Sequence, residues 1–268
     1  MSLNKKFSLI IFTDLDGSLL HRDNFGFEEI KDYIKSLIDN GIIIIPNTSK
    51  TEKEIKEFIK ELGLDLPFIS ENGSSIHGLN LINSNFPNEI VLSREKYKLI
   101  EIFNLKVPEK LKAKCKFISD MNLEQQTKIF GLKENNLKNA LRRKYTIPFL
   151  FEGNKTEKNE LLEILRSSSM KMQDGGRVIN LGDNTDKVKS MNQVLKIYKK
   201  IENKIKVIGV GDNFNDLDML RNCDIPCLVF NDQFKQDQIN IDNLIISNKP
   251  SPEGWADVIK TALVKLDY

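Results

Sequence analysis

The chain has 268 residues, of which 40% are apolar and 29% charged, and its formal net charge is +2 at pH 7. This length fits one large domain or two modest ones and can bury a core without disulfide or metal crosslinks. The near-neutral charge, the lack of a long apolar run and the three cysteines argue against a dedicated nucleic-acid binder, a membrane protein and a disulfide framework. We therefore expect a cytoplasmic globular protein, a monomer or homodimer, with no nucleic-acid or membrane partner.

The N-terminal third alternates strand and helix signals. Apolar, β-branched runs at 7–13 and 42–45 predict two buried strands, and a third is expected near 67–70. Apolar residues recur at helical spacing between the first two strands. A second helix follows the capping pair Thr51 and Glu54.

The C-terminal third repeats this alternation. Helices are expected at 186–202 and 215–222 and after the pair Ser251-Pro252, and strands at 205–210, 225–230 and 243–247. Alternating strands and helices predict an α/β fold built on a doubly wound, mostly parallel sheet.

The middle of the chain, 86–176, differs in its pattern and is rich in lysine. Its predicted helices and strands are helices near 94–105, from Asn122 to Gly131 and near 134–143, and short strands at 115–119 and 147–151. We interpret this segment as an α+β domain inserted into the sheet-forming part. Residues 1–85 and 177–268 would then form one core domain and 86–176 the inserted domain.

Two acidic clusters follow predicted strands. Asp14 and Asp16 come directly after strand 7–13, and the sequence GDNFND, with Asp212, Asn215 and Asp216, comes after strand 205–210. Ligands bind at the carboxyl ends of strands in an open parallel sheet, so both clusters would reach one edge. Converging carboxylates repel one another unless a cation neutralises them, and all-oxygen ligands favour Mg²⁺. Either cluster alone is a common turn sequence, whereas both together predict a magnesium site.

Two further features could bind an anion at the same edge. Thr48, Ser49 and Lys50 follow the second strand and precede a helix, so hydroxyl and free N–H groups would face an anion. Lys187 opens a helix and would bring an ammonium group close to the carboxylates. Alone, each would be an ordinary helix cap or surface lysine, and their significance lies in their position beside the acidic clusters.

These four features resemble the motifs of the haloacid dehalogenase superfamily. The segments DLDGS and GDNFND, the strand that precedes Thr48, and Lys187 stand in the order and spacing of its phosphatases with a large Cof-like (IIB) cap. ENGSSI at 71–76 resembles a segment common in that subfamily. The resemblance spans nearly the whole chain and implies a Rossmann-like core, with the cap at 86–176 and Mg²⁺ as cofactor.

A narrower resemblance concerns the cap. Residues 117–149, GGR at 175–177 and SPEGW at 251–255 are similar to the mannosyl-3-phosphoglycerate phosphatase family. This implies hydrolysis of mannosyl- or glucosyl-3-phosphoglycerate, a small phosphorylated sugar acid and precursor of a compatible solute. The chain has Phe-Gly-Leu at 130–132 where the family has Thr-Gly-Leu. It lacks two glutamates of the next motif, and Asn180 stands where a histidine is usual.

Other functions fit the same motifs. A broader Cof-type sugar-phosphate phosphatase, similar to sucrose-phosphatases, or a hexose-phosphate mutase would use the same pair of aspartates. A mutase would need a bisphosphate activator and would release little phosphate. A catalytically silent binding module would be expected to have lost one of the aspartates, and this sequence keeps both.

The resemblance also implies catalytic roles. Asp14 would be the nucleophile that forms an aspartyl-phosphate, and Asp16 would protonate the leaving oxygen and then activate water. Thr48 and Lys187 would hold the phosphoryl oxygens as charge develops on them.

The implied metal site uses the two acidic clusters. Mg²⁺ would be held by the Asp14 carboxylate, the Asp16 main-chain carbonyl and Asp212. Asn215 and Asp216 would support the metal site or orient Lys187.

Substrate recognition is assigned to the cap and the rim of the core. Residues 86–176 carry 18 Lys and Arg against 12 Asp and Glu, whereas the rest carries 22 against 26. A basic cap over an acidic floor suits a substrate with both a phosphate and a carboxylate. Arg177 is the first candidate to bind that carboxylate, and Lys50 and Arg142 or Arg143 are weaker ones. The predicted substrate-binding residues are Ser49, Lys50, Glu71, Asn72, Gly176 and Arg177.

Overall fold

The computed structural model describes residues 7–174, 178–232 and 239–268. The strands in this part of the chain are β1 (Ser8–Thr13), β2 (Ile43–Pro46), β3 (Phe68–Ser70), β4 (Ser75–His77), β5 (Glu89–Val91), β6 (Cys115–Phe117), β7 (Ile147–Phe151), β8 (Met170–Asp174), β9 (Ile179–Asp183), β10 (Ile205–Gly211), β11 (Ile225–Leu228) and β12 (Ile245–Ile246). The α-helices are α1 (Lys31–Asp39), α2 (Glu52–Leu62), α3 (Lys96–Lys106), α4 (Glu109–Lys112), α5 (Leu123–Phe130), α6 (Glu134–Ala140), α7 (Lys155–Ser167), α8 (Lys187–Tyr198), α9 (Leu217–Arg221) and α10 (Glu253–Lys265).

A five-stranded parallel sheet forms the centre of the molecule. Its strand order is β12-β11-β10-β1-β2, and every neighbouring pair is parallel. Thr13, at the end of β1, is in register with Val210 on β10 and with Pro46 on β2. The carboxyl ends of three adjacent strands are therefore level, and the segments that follow them emerge at one edge.

Both faces of this sheet are buried. In β1, Leu9 and Ile11 belong to one apolar cluster, while Ile10 and Phe12 belong to a second cluster. Helices α1, α2 and α10 contribute to the first cluster, and α8 and α9 contribute to the second. Helices on both faces of a parallel sheet make the fold doubly wound, which confirms the predicted fold class.

The remaining strands form two antiparallel sheets. One has the order β3-β4-β5 and lies next to β2 through a backbone bridge between Asn47 and Ile69. The other has the order β6-β7-β9-β8, and its apolar cluster includes side chains of α3 and α7. We call segment 96–183, which holds this four-stranded sheet and helices α3 to α7, the cap. Its α+β content matches the predicted inserted domain, while the boundaries after 85 and 176 stay predictions.

One ion pair joins the two places where the chain enters and leaves the cap. The Arg94 guanidinium, just before α3, donates to both carboxylate oxygens of Asp183, the last residue of β9, at 2.8 Å each. The Arg94 main-chain N–H donates to the same carboxylate at 2.8 Å. Because such bidentate pairs fix geometry as well as charge, the two crossings are held side by side.

Several elements differ from the sequence prediction. The last strand of the sheet, β12, is only two residues long, and α8 ends at Tyr198 rather than near 202. Helix α7 and strands β8 and β9 were not predicted. In α7 only Leu161 and Leu165 are buried, so its apolar periodicity is too weak to stand out among charged neighbours. No helix of the described residues has the length and apolar composition needed to cross a membrane.

Candidate active site

Asp14 lies at the carboxyl end of β1 and is 6% exposed. Its backbone is fixed by a relay in which the Trp255 indole N–H donates to Thr13 Oγ1 at 2.9 Å, and that hydroxyl donates to the Asp14 carbonyl at 2.7 Å. Lys187 Nζ donates to Asp14 Oδ1 at 2.7 Å. The carboxylate is therefore held on a rigid strand end beside a buried ammonium group.

Asp14, Asp212 and Asp216 form a buried cluster. One ligand atom from each of these carboxylates lies within 4.8 Å of the others. Asp216 Oδ1 accepts from Lys187 Nζ at 2.6 Å, and its Oδ2 accepts from the N–H groups of Asp212 and Asn213 at 3.1 and 3.2 Å. Asp216 thus orients both the lysine and the turn after β10, and its role in supporting a metal stays a prediction.

Asp212 is contacted from three directions. The Ser18 hydroxyl donates to its Oδ1 at 3.2 Å, the Arg22 guanidinium contacts its Oδ2, and the Asn231 amide donates to its carboxylate at 3.1 Å. Gly17, at φ 77°, allows this close approach because a Cβ there would lie 2.5 Å from Asp212 Oδ2. The two acidic turns are therefore packed against each other at the sheet edge.

The charges in this cluster are not balanced by protein cations alone. Burial, together with repulsion from Asp216 and Asp14, raises the pKa of Asp212 to about 8. Burial opposes the charge on Lys187, but Asp14 and Asp216 outweigh it and raise the pKa of that ammonium. A divalent cation beside Asp14 and Asp212 would remove the repulsion, and the all-oxygen donors suit Mg²⁺. The residues present therefore fit the magnesium that the sequence predicts.

Asp16 is not part of this cluster and pairs with Lys50. Lys50 Nζ lies 2.9 Å from Asp16 Oδ1 and 3.5 Å from Glu54 Oε1, and it sits over the Phe25 ring at 4.5 Å from the centroid. Asp16 keeps 40% side-chain exposure towards the cavity. Desolvation by the surrounding protein nevertheless raises its pKa more than Lys50 lowers it. A carboxyl group with a raised pKa can hold a proton, as an acid catalyst must.

The segment after β2 reaches the same edge. Thr48 is 1% exposed and Ser49 borders the cavity. Asn47, which sequence analysis did not single out, is fully buried and donates from Nδ2 to the Lys187 carbonyl at 2.9 Å. It fixes the first turn of α8 and with it the lysine. Only its place next to Thr48 could have drawn attention to it.

A cavity of about 910 Å³ lies between this edge and the cap. Its core side is formed mainly by polar residues: Asp14, Asp16, Arg22, Ser49, Lys50, Asn72, Lys187, Asp212 and Asn215. Its cap side mixes apolar and polar residues: Phe130, Leu132, Arg143, Lys171, Gln173 and Asn180. A concave site of this volume suits a small ligand.

The part of the cap sheet that borders the cavity is mainly polar, with Met172 as an apolar member. On β8 and β9, Met170 and Leu181 point into the apolar cap cluster, whereas Lys171, Gln173 and Asn180 line the cavity. Asn180 is 2% exposed and its Oδ1 has no hydrogen-bond partner among the described atoms. Such a buried acceptor needs a donor, which a ligand or an ordered water can supply. Sequence analysis missed this face because it did not predict the two strands.

The predicted substrate-binding residues have different surroundings. Ser49, Lys50 and Asn72 line the cavity. Glu71 is 1% exposed, and its carboxylate accepts hydrogen bonds from backbone N–H groups of the cap. Its substrate-binding role stays a prediction. Gly176 and Arg177 lie outside the described residues.

Comparisons with protein families, sequences and solved structures all find hydrolases or phosphatases. The profile of the haloacid dehalogenase-like hydrolase family matches residues 11–248. A Persephonella marina protein named glucosyl-3-phosphoglycerate/mannosyl-3-phosphoglycerate phosphatase is 32% identical, over 97% of this chain and 98% of its own. The mannosyl-3-phosphoglycerate phosphatase of Pyrococcus horikoshii is 31% identical, over 88% and 96%. The structure of the Synechocystis sucrose-phosphatase superposes with a TM-score of 0.59 at 15% identity, covering 97% and 98%.

Proposed function

Because the chain belongs to the haloacid dehalogenase-like hydrolase family and is a phosphoric monoester hydrolase, we propose that its substrate is glucosyl- or mannosyl-3-phosphoglycerate. The products would be the glycosylglycerate and phosphate. The observation that carries the reaction is the position of Asp14, buried beside Lys187 in the wall of the cavity between core and cap. The substrate is supported by the names of relatives that align over nearly the whole chain.

Asp14 is the nucleophile in this proposal. Its oxygen attacks phosphorus, the bond between phosphorus and the glycerate oxygen breaks, and an aspartyl-phosphate forms. The Lys187 ammonium donates a hydrogen bond to Asp14 Oδ1 and so helps to orient the attacking carboxylate. The relay from Trp255 through Thr13 keeps the strand end in place, which supports catalysis because attack depends on precise orientation.

Asp16 is the acid and base. Its raised pKa favours the protonated form, which can donate to the departing glycerate oxygen. The resulting carboxylate then takes a proton from the water that hydrolyses the aspartyl-phosphate, and the cycle closes. Lys50, paired with Asp16, holds the carboxyl group in the cavity.

Asp14, the Asp16 main-chain carbonyl and Asp212 would hold Mg²⁺, with Asn215 and Asp216 as supporting residues. When bound, the ion supplies positive charge that offsets the negative charge of the phosphoryl group. Thr48 and Lys187 would bind phosphoryl oxygens as charge develops on them.

The cap supplies recognition of the leaving group. The unpaired Asn180 acceptor suits a sugar hydroxyl, and Phe130 and Leu132 provide apolar contacts for a sugar face. The family departures at Phe130 and Asn180 fall on this wall, so they act on sugar choice and leave the chemistry at Asp14 unchanged.

The test is phosphate release with Mg²⁺ from a panel containing both glycosyl-3-phosphoglycerates, 3-phosphoglycerate, sucrose 6-phosphate and glucose 6-phosphate. We expect the highest kcat/KM for a glycosyl-3-phosphoglycerate, by about 10-fold or more, because each well-formed polar contact to the leaving group contributes about that factor. A preference for sucrose 6-phosphate or a hexose phosphate would contradict the proposed substrate.

A further inference from the structure

Glu71 connects the core to the cap. It lies between β3 and β4 with a left-handed φ of 46° and is 1% exposed. Its Oε1 accepts from the Lys144 N–H at 2.8 Å. Its Oε2 accepts from the N–H groups of Tyr145 and Thr146 at 3.1 and 2.8 Å and from the Thr146 hydroxyl at 2.7 Å. One core carboxylate thus binds the entire turn that leads into β7.

The same turn fixes the orientation of Arg143. Arg143 Nη1 donates to Thr146 Oγ1 at 2.9 Å and to the main-chain carbonyl of Ser49 at 3.2 Å. The Thr146 hydroxyl donates its proton to Glu71. The lone pairs of the Thr146 oxygen are therefore free to accept from the Arg143 guanidinium. The order of contacts is therefore Glu71, Thr146, Arg143, and then the core segment that carries the candidate phosphate-binding residues.

Arg143 has no anionic partner among residues 7–174, 178–232 and 239–268. It is 8% exposed and lines the cavity, both its hydrogen-bond partners are neutral oxygens, and its Nε has no partner. A buried guanidinium with an unpaired N–H is unfavourable unless an anion completes it. The cavity is the open side from which an anion can arrive.

We propose that Glu71 is a positioning residue that, through Thr146, orients Arg143 as the receptor for the carboxylate of the substrate. This inference rests on the proposed function, which supplies a substrate with two anionic groups. The phosphomonoester reacts at Asp14, and the glycerate carboxylate is the second anion. A planar guanidinium fork matches a carboxylate in geometry, whereas the lysines of the cavity offer only point charges.

The experiment compares glucosyl-3-phosphoglycerate with its analogue in which the carboxylate is replaced by a hydroxymethyl group. The readout is the preference, the ratio of kcat/KM for the two compounds, in the wild type and in Arg143→Gln. We expect the preference to fall about 10- to 100-fold, because a charge-assisted contact to one substrate is lost. The change should lie in KM for the carboxylate compound.

Variants of the positioning residues complete the test. Glu71→Gln and Thr146→Val are expected to lower the preference through KM, while Thr146→Ser, which keeps the hydroxyl, is expected to retain it. The Thr146 pair stays informative if Glu71→Gln fails to fold, because valine and threonine have the same shape.

Two outcomes separate the inference from the function on which it rests. A wild-type enzyme that turns over neither compound would overturn the proposed function, and this inference with it. A wild type that prefers the carboxylate compound, with that preference unchanged in Arg143→Gln or equal in Thr146→Val and Thr146→Ser, would overturn the inference alone.

Discussion

Lys187 is the residue on which the candidate site depends most for charge balance. It is 4% exposed and pairs with two buried carboxylates, Asp14 and Asp216. No other described lysine has this arrangement. The electrostatics of the site are therefore concentrated in one ammonium group.

Lys187→Met should destabilise the metal-free protein by about 3–5 kcal/mol, because it leaves buried carboxylates without their partner. The free energy of unfolding from urea titration in the presence of a chelator measures this. Lys189→Met is the control. Its side chain is 51% exposed and its ion pair with Asp186 spans 3.9 Å, so its loss should be below about 1 kcal/mol. Equal losses in the two variants would contradict the assigned charge balance.

At this scale, sequence alone identified residues that stand next to each other in short motifs. Asp14, Asp212 and Lys187 were predicted because strands and a helix start place them at one edge. Asn47 and the contact between Trp255 and Thr13 were not predicted. They act through backbone groups or across more than 200 positions of the chain, and no local pattern encodes such pairings.

At the scale of elements, the turn between β3 and β4 packs directly against the start of α8. Gly73 lies in it at φ 88° and packs directly on the Asp186 carbonyl, so there is no space for a side chain. Asp186 is the N-cap of α8 and accepts from the Lys189 N–H. The turn therefore controls where α8 begins and where Lys187 is placed.

Gly73→Ala should reduce stability by more than the roughly 1–3 kcal/mol that left-handed strain alone costs, and it should lower kcat by displacing α8. Gly63→Ala is a matched control because Gly63 has a φ of 76° but no atom within 4 Å of the position that an alanine Cβ would take. Thermal unfolding and steady-state kinetics of both variants test this. The same loss in both would show that the packing on Asp186 does not matter.

The prediction of elements succeeded where the pattern was strong. Strands with continuous apolar runs, such as β1 and β10, were found because both faces of the sheet are buried. Helix α5 was predicted from Asn122 to Gly131, and the structure shows a capping box at Asn122 and a left-handed Gly131 at its two ends. Strands β8 and β9 were missed because their cavity-facing residues are polar and their other face is only a few residues long.

At the scale of the whole molecule, metal binding should couple to folding. Three carboxylates meet at the junction of β1 and β10, so a cation that binds the folded chain stabilises it by mass action. At 100 times the Kd the gain is about 2.7 kcal/mol. We expect Mg²⁺ to raise the Tm of chelator-treated protein.

Asp212→Asn should abolish most of this rise, whereas Asp218→Asn, with a side chain that is 83% exposed, should keep it. Differential scanning fluorimetry with and without Mg²⁺ provides the measurement. An unchanged shift in Asp212→Asn would place the ion elsewhere.

The positively charged segment 86–176 and the negatively charged remainder of the chain meet at the cavity. The lysine-rich segment 86–176 was predicted to cover an acidic floor, and residues of the cap line the same cavity as Asp14. Many of its lysines, such as Lys98 and Lys138, lie in exposed ion pairs within single helices. Composition therefore predicted the sign of the cap but could not show which of its cations, Arg143 and Lys171 among them, line the cavity.

The most direct test is to find the phosphoryl group on the enzyme during turnover. Wild-type protein with Mg²⁺ and glucosyl-3-phosphoglycerate is quenched in acid within the first turnovers, digested, and analysed by mass spectrometry. The account predicts a phosphorylated peptide in which the modified residue is Asp14, and neither this adduct nor phosphate release in Asp14→Asn, which should retain its fold. An adduct on another residue, or an Asp14→Asn variant that releases phosphate at the wild-type rate, would contradict it.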